Sequence, residues 1–171
     1  MGKGAPLRWL ENRYLRRYLR GRGMEIGALW RRSPVHSQAQ VYYVDRSSVE
    51  DLRTQYVGVQ EKIFPPDLVA DATELPVAPR SLDFLIASHV LEHLPFPLSA
   101  LRVWYHALAP SGVLLLKVPD ERHTFDFRRS RTPLARLISE YERPESLDWR
   151  AHYVDWVEKR RWARAAEAEL A

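Results

Sequence analysis

The sequence predicts an α/β fold, a doubly wound, mostly parallel sheet of about five strands with helices on both faces. Short β-rich apolar runs alternate along the chain with segments of helical periodicity. No turn of the Asn-Gly kind joins two runs as a hairpin would. One run, residues 82–88, is apolar at nearly every position, as expected of a strand covered on both faces. The 171 residues, 46% hydrophobic and 28% charged, suit one ordinary globular domain.

Each element has its own signal. Residues 5–20 place Leu7, Leu10, Tyr14, Leu15, Tyr18 and Leu19 at helical spacing, with Arg8, Arg13, Arg16, Arg17 and Arg20 mostly on the other arc and Gly21 as a cap. This basic amphipathic helix is expected to pack on the sheet; docking on an anionic partner or membrane surface is the alternative. Residues 24–26 form a buried strand that breaks at Gly27, and residues 41–44 a second that ends at Asp45. Ser48 followed by Asp51 and Leu52 signals a capped helix through about Tyr56. Beyond Pro65-Pro66, residues 68–70 give a third strand ending at Asp71, and residues 82–88 the fourth. Leu98, Leu101, Tyr105 and Leu108 mark a helix stopped by Pro110-Ser111-Gly112. The fifth strand, residues 113–118, ends at Pro119-Asp120. Residues 133–141 and 151–170 read as helices, and no C-terminal β-hairpin is readable. The expectation is a single domain over 1–171, with an N-terminal helix (1–22), a binding core (23–120) and a helical C-terminal segment (121–171).

Composition narrows the function. The chain has no cysteine, which excludes disulfides, thiolate metal sites and a cysteine nucleophile and suits a reducing cytoplasm. Its longest clean apolar stretch, residues 113–116, is too short to span a bilayer. Residues 1–6 lack the apolar core of a signal peptide, and Pro6 stands where myristoylation needs Ser or Thr. The net charge of +4 is unevenly spread: +7 over residues 1–34, −4 over 35–120 and +1 over 121–171. Arginine makes up 22 of the 26 basic residues, which favours forked recognition of anions. The acidic middle would repel a phosphate backbone, and this argues against a nucleic-acid binder.

Four of the five strand ends carry Gly27, Asp45, Asp71 or Asp120. In open parallel sheets ligands bind beyond the carboxyl ends of the strands. Glycine at position 27 would let the backbone pass close to a ligand. Asp45 follows Glu25 by 20 residues, the spacing at which an acid takes a ribose diol. Charge-assisted hydrogen bonds of that type contribute roughly 1.5–3 kcal/mol. The row points to a nucleoside-containing ligand.

The same segments resemble the class I S-adenosylmethionine-dependent methyltransferases of the type 11 group. Gly23-Met24-Glu25-Ile26-Gly27-Ala28-Leu29 resembles the family's first motif, and Val41-Tyr42-Tyr43-Val44-Asp45 the second. Val69-Ala70-Asp71-Ala72 resembles the motif whose Asp approaches the adenine amine. Residues 82–94 resemble the fourth-strand motif with its Leu91-Glu92-His93-Leu94 extension, and residues 108–116 the fifth-strand motif. Pro119-Asp120-Glu121-Arg122-His123-Thr124-Phe125-Asp126 is similar to a run in a bacterial subgroup of unassigned substrate. The resemblance implies a Rossmann-like domain binding S-adenosyl-L-methionine through Glu25, Gly27, Ala28, Asp45, Arg46, Asp71, Ala72 and His89. Leu29 departs from it by standing at the third glycine position. The missing hairpin leads to a further expectation, that residues 151–170 or a second subunit cover the fifth-strand edge.

Methyl transfer from a sulfonium asks the protein chiefly to align the acceptor and exclude water, and an acceptor that sheds a proton also needs a base. His89, Glu92, His93 and Asp120 are the catalytic candidates. No metal site is expected, because no pair of the six histidines has ligand spacing with an acid. The aromatic residues Trp149, Tyr153, Trp156 and Trp162, with the Arg-rich run 122–131, suit either packing or a lid over a small-molecule or saccharide acceptor. A non-catalytic or regulatory relic that keeps the pocket is the alternative function. A nicotinamide-dependent oxidoreductase is a further one, although Ala28-Leu29-Trp30-Arg31-Arg32 lacks the glycines of a pyrophosphate turn.

Overall fold

Each β-rich run of the sequence forms a strand. The strands are β1 (Arg22–Ile26), β2 (Gln40–Asp45), β3 (Leu68–Val69), β4 (Leu82–Ser88) and β5 (Leu108–Lys117). The helices are α1 (Ala5–Tyr18), α2 (Val49–Gln55), α3 (Pro97–Ala107) and α4 (Leu134–Glu142). The computed structural model describes residues 5–124, 131–146, 148, 150, 154 and 157. They fall into two compact units, Met1–Lys117 and Val118–Ala171.

The first unit is a five-stranded sheet in the order β3-β2-β1-β4-β5, with every adjacent pair parallel. Side chains alternate across a strand, so the apolar β4 serves two cores at once. Phe84 and Ile86 pack with Leu15 of α1 and with Leu19 just beyond it. Leu85 and Ala87 pack with Met24 and Ile26 of β1 and with Ala100, Trp104 and Ala107 of α3. Helices therefore cover both faces. Gly23, opposite Phe84 in the β1–β4 register, leaves room for that ring, which a Cβ at position 23 would strike.

Two helix faces are rotated from the sequence expectation. In α3 the buried stripe is Ala100, Trp104 and Ala107, and Tyr105 is exposed. In α1 Leu15 is buried, as is Leu19 beyond it, but Tyr14 and Tyr18 face outward with their ring centroids 4.8 Å apart. Phenol hydroxyls tolerate water, so leucines take the core positions.

The turn Pro110-Ser111-Gly112 does not stop α3, which ends at Ala107. Arg80 and Ser81 donate their N–H groups to the carbonyls of His106 and Ala107 at 2.8 and 2.9 Å. The approach to β4 thus captures the chain before the turn is reached. The turn lies inside β5 as an irregularity, with Leu82 opposite Leu108 but Phe84 opposite Val113. The capped helix forms as read. The Ser48 hydroxyl oxygen accepts from the Asp51 N–H at 3.2 Å, and α2 ends one residue before Tyr56.

In the second unit α4 is braced by Arg136 Nε donating to Glu140 Oε1 at 2.7 Å, one helical turn on. Of residues 151–170, Val154 and Val157 are helical and exposed; the others of that range, with the aromatic residues at 149, 153, 156 and 162 and arginines 128 and 129, lie outside the described residues. Among the described residues β5 is the outermost strand on its side. Among them too, no helix is long and apolar enough to cross a membrane.

One buried bond joins α3 to the rim of the sheet. Trp104, fully buried, donates its indole Nε1–H to the carbonyl oxygen of Ala72 at 2.8 Å. Replacing it by phenylalanine keeps a ring but strands that carbonyl. Trp104→Phe is expected to lower stability by about 1–3 kcal/mol, read as a lower urea midpoint with an unchanged denaturant slope.

Candidate functional site

Parallel pairing gathers the carboxyl ends of β1, β2, β3 and β4 at one rim, where the ladder hydrogen bonds run on into the loops. Gly27 N–H donates to Val44 O at 2.8 Å, Ala70 N–H to Asp45 O at 2.9 Å and His89 N–H to Lys117 O at 2.9 Å. Between these loops lies a cleft of about 380 Å³, within the range of small-ligand sites. Gly27 and Leu29 after β1, Asp45 and Arg46 after β2, Asp71 and Ala72 after β3, and His89 and His93 after β4 all line it.

Asp45 is the cleft's buried charge, with 9% of its surface exposed. Its carboxylate accepts the N–H of Arg46 at 2.8 Å and is also bonded by that of Ser47. Burial pushes this carboxyl above the ordinary aspartate range, while those two N–H groups and the Arg46 charge pull it down. Asp71 uses Oδ1 to accept the N–H and hydroxyl of Thr73 at 2.7 and 2.6 Å. It fastens a turn, and no helix begins there. Arg46 is steadied by a 3.3 Å bond from its guanidinium to Gln55.

Three residues on the cleft wall have left-handed backbone: Gly27 (φ 68°), Leu29 (φ 49°) and His89 (φ 57°). For leucine and histidine this costs about 1–2 kcal/mol each. Leu29, which departs from the glycine of the first motif, thus keeps a glycine's conformation and changes only the side chain presented.

Glu25 and Ala28 were expected among the ligand-binding residues, but neither lines the cleft. Glu25 is 1% exposed, and its carboxylate accepts both the N–H of Ser33, at 3.0 and 3.1 Å, and the Ser33 hydroxyl, at 2.7 Å. Burial raises its pKa, and the Ser33 bonds followed by the charges of Lys117 and Arg32 oppose the rise. Its oxygens are thus engaged in closing the loop after β1. Ala28 lies instead beside a second, much smaller hollow of about 10 Å³ next to Pro65 and Pro66.

The catalytic candidates separate as well. His89 and His93 line the cleft; Glu92 does not, but its Oε1 lies 3.2 Å from His89 Nδ1. Asp120 belongs to the second unit, where Arg122 grips it through Nε and Nη2 at 2.7–3.2 Å and His123 lies 3.4 Å away. The Arg122 guanidinium holds its carboxyl down at about 2, which makes it a weak proton acceptor near neutrality. Among the described residues no group of three or more His, Asp or Glu is placed to hold a metal ion.

Sequence reasoning missed Tyr56, Val90 and Pro95 as parts of the cleft wall. Val90 lay within the fourth-strand motif, unmarked because it is apolar. Tyr56 was visible only as the end of a helix.

A family model described as a methyltransferase domain matches residues 20–116, more than half of the chain. The chain belongs to this family. The match spans β1 to β5 and takes in every residue named on the cleft wall. No curated protein matches the sequence. Among solved structures, the methyltransferase-domain chain is similar to the YcgJ protein of Bacillus subtilis, at 21% identity and a TM-score of 0.46, covering 63% of this chain and 48% of that one. It is similar to the trans-methyltransferase CalH in complex with SAH, at 20% identity and TM-score 0.45, covering 66% and 36%. It is also similar to a SAM-dependent methyltransferase from Aquifex aeolicus, at 15% identity and TM-score 0.40, covering 57% of each. The chain thus spans between about a third and three-fifths of the length of these structures.

Gly27 meets two constraints at once. A Cβ there would sit in the left-handed region and 3.0 Å from Val90 Cγ2 in the loop after the neighbouring β4. Gly27→Ala is expected to lower stability by about 1–2 kcal/mol, measured as a fall in thermal midpoint, whereas Gly58→Ala, with nothing within 4 Å of the new Cβ, reports the backbone term alone.

Proposed function

We propose that the cleft holds S-adenosyl-L-methionine and that the chain transfers its methyl group to a small-molecule or saccharide acceptor. One observation carries this reading: the carboxylate of the buried Asp45, fixed by the amides after β2, shares a cleft with the tight Gly27 turn after β1. A buried acid at a strand tip suits a ligand that brings two hydroxyl donors, as a ribose does. The cradle at Gly27, which a Cβ would fill against Val90, suits close approach of a ligand to the backbone.

The bound cofactor would supply a methyl group already activated by the sulfonium charge. Asp45 would hold the ribose hydroxyls, and Arg46 and Tyr56 would wall the same side. Asp71 has one oxygen committed to Thr73 and one left to meet an amine. The apolar wall of Ile26, Leu29, Val90 and Leu94 excludes water and aligns the reacting groups.

For an acceptor that must lose a proton, His89 is the candidate base. In the tautomer that donates Nδ1–H to Glu92, the lone pair of the ring sits on Nε2, and the carboxylate orients the ring. His93 is the alternative on the same wall. The reading is that of a protein acting in the cytoplasm.

Asp45→Ala is expected to weaken binding of S-adenosyl-L-homocysteine at least about tenfold by calorimetry with an unchanged circular dichroism spectrum. Unaltered affinity would refute the ribose assignment, and a wild-type protein that neither binds nor co-purifies with an adenosyl compound would refute the proposal.

Acidity gives a second test. Hydroxyl donors favour the ionised carboxylate, so affinity should hold above the raised Asp45 pKa and fall as pH drops through it. Folding of the free protein has the opposite sign. A carboxyl whose folded pKa is raised contributes stability that is complete below its unfolded value and lost as pH rises through the folded one. Asp45→Asn should flatten the acid limb of the binding curve, and a limb that persists would assign it to another group.

A further inference from the structure

The loop that follows β1 has a second anchor, different in kind from the Glu25 carboxylate. The guanidinium carbon of Arg32 stands 4.2 Å from the centroid of the Tyr43 ring and 4.3 Å from that of Phe64. Both distances lie inside the range over which a cation is attracted to a ring face. Tyr43 belongs to β2 and Phe64 to the segment before β3, so one side chain ties three stretches of chain together.

The same Phe64 donates its N–H to the carbonyl oxygen of Leu29 at 3.0 Å, and Leu29 is the left-handed leucine of the cleft wall. Leu29, Tyr43, Leu52 and Phe64 border one small hollow outside the cleft, where the turn after β1, β2, α2 and the segment before β3 meet. Released from its neighbours, a leucine leaves the left-handed region, because its Cβ crowds the carbonyl. The backbone on this side of the cleft is therefore held by contacts that lie outside the cleft.

We propose that Arg32 is a positioning residue: stacked between Tyr43 and Phe64, it keeps Phe64 under Leu29 and so holds the left-handed turn that shapes the adenosyl site. The proposal rests on the reading of the cleft as that site. A planar guanidinium can lie against two ring faces at once, which a compact ammonium cannot. Lysine in its place keeps the charge and loses the clamp. Glycine at position 29 adopts the same turn without strain, so it removes the need for the clamp.

The test is a cycle of four full-length proteins: wild type, Arg32→Lys, Leu29→Gly and the double variant. Two quantities are read from each, the hydrogen-exchange rate of the Phe64 amide and the affinity for S-adenosyl-L-homocysteine. Arg32→Lys is expected to speed exchange of that amide and to weaken the ligand about five- to tenfold. In the Leu29→Gly background the same substitution is expected to change the affinity less than about twofold. An equal loss of affinity in both backgrounds would overturn the proposal, since Arg32 would then act without Leu29. Unchanged exchange and affinity in Arg32→Lys would overturn it too. A wild-type protein that fails to bind the ligand would overturn the adenosyl reading instead, and the Phe64 amide would still decide whether Arg32 holds the turn.

Discussion

Parallel pairing of β1 with both of its neighbours is the constraint from which the site follows. Two parallel strands need a crossover between them, and crossovers cover the faces of the sheet. The carboxyl ends of β1, β2, β3 and β4 then open on one rim, because nothing in the sheet can turn them elsewhere. Gly27, Asp45, Asp71 and His89 are far apart in sequence, yet all line one cleft of about 380 Å³. No side-chain contact is required to bring them together; the ladder does it.

A rim built of loops would be soft without anchors, and the loops after β1 and β3 have them. Glu25 and Ser33 close the loop after β1, while the indole of Trp104 holds the Ala72 carbonyl after β3. The stacked Arg32 adds a third. Two of these use polar groups in buried surroundings, where a bond left unmade costs more than a bond made contributes. That asymmetry makes the loops specific: each has one arrangement that satisfies its buried partner. It also explains how a leucine persists in left-handed backbone in the loop after β1.

The fold was largely legible because its signals are local. Residues 82–88 announced a two-sided strand by composition alone, and Ser48 and Asp51 announced a helix start. The misreadings came where local chemistry is silent. The α3 stripe of Ala100, Trp104 and Ala107 was missed because alanine carries little hydrophobic signal, while the leucines and Tyr105 beside it carry more. The turn at Pro110-Ser111-Gly112 is strong punctuation anywhere. Only the bonds from Arg80 and Ser81 to the end of α3 show that the helix has already stopped.

For the site, the sequence by itself determined which polar residues end the strands, because a strand's end is marked by the loss of its apolar alternation. Spacing therefore found Gly27, Asp45 and Asp71. Tertiary structure decided which way each carboxylate is used. Glu25 lies inside β1 and Asp45 ends β2; the first is taken up by Ser33 and the second faces the cleft. That choice depends on which loop comes to rest above each strand and which donors it carries. Such partners are brought together only when the chain is packed, so one-dimensional spacing cannot encode them.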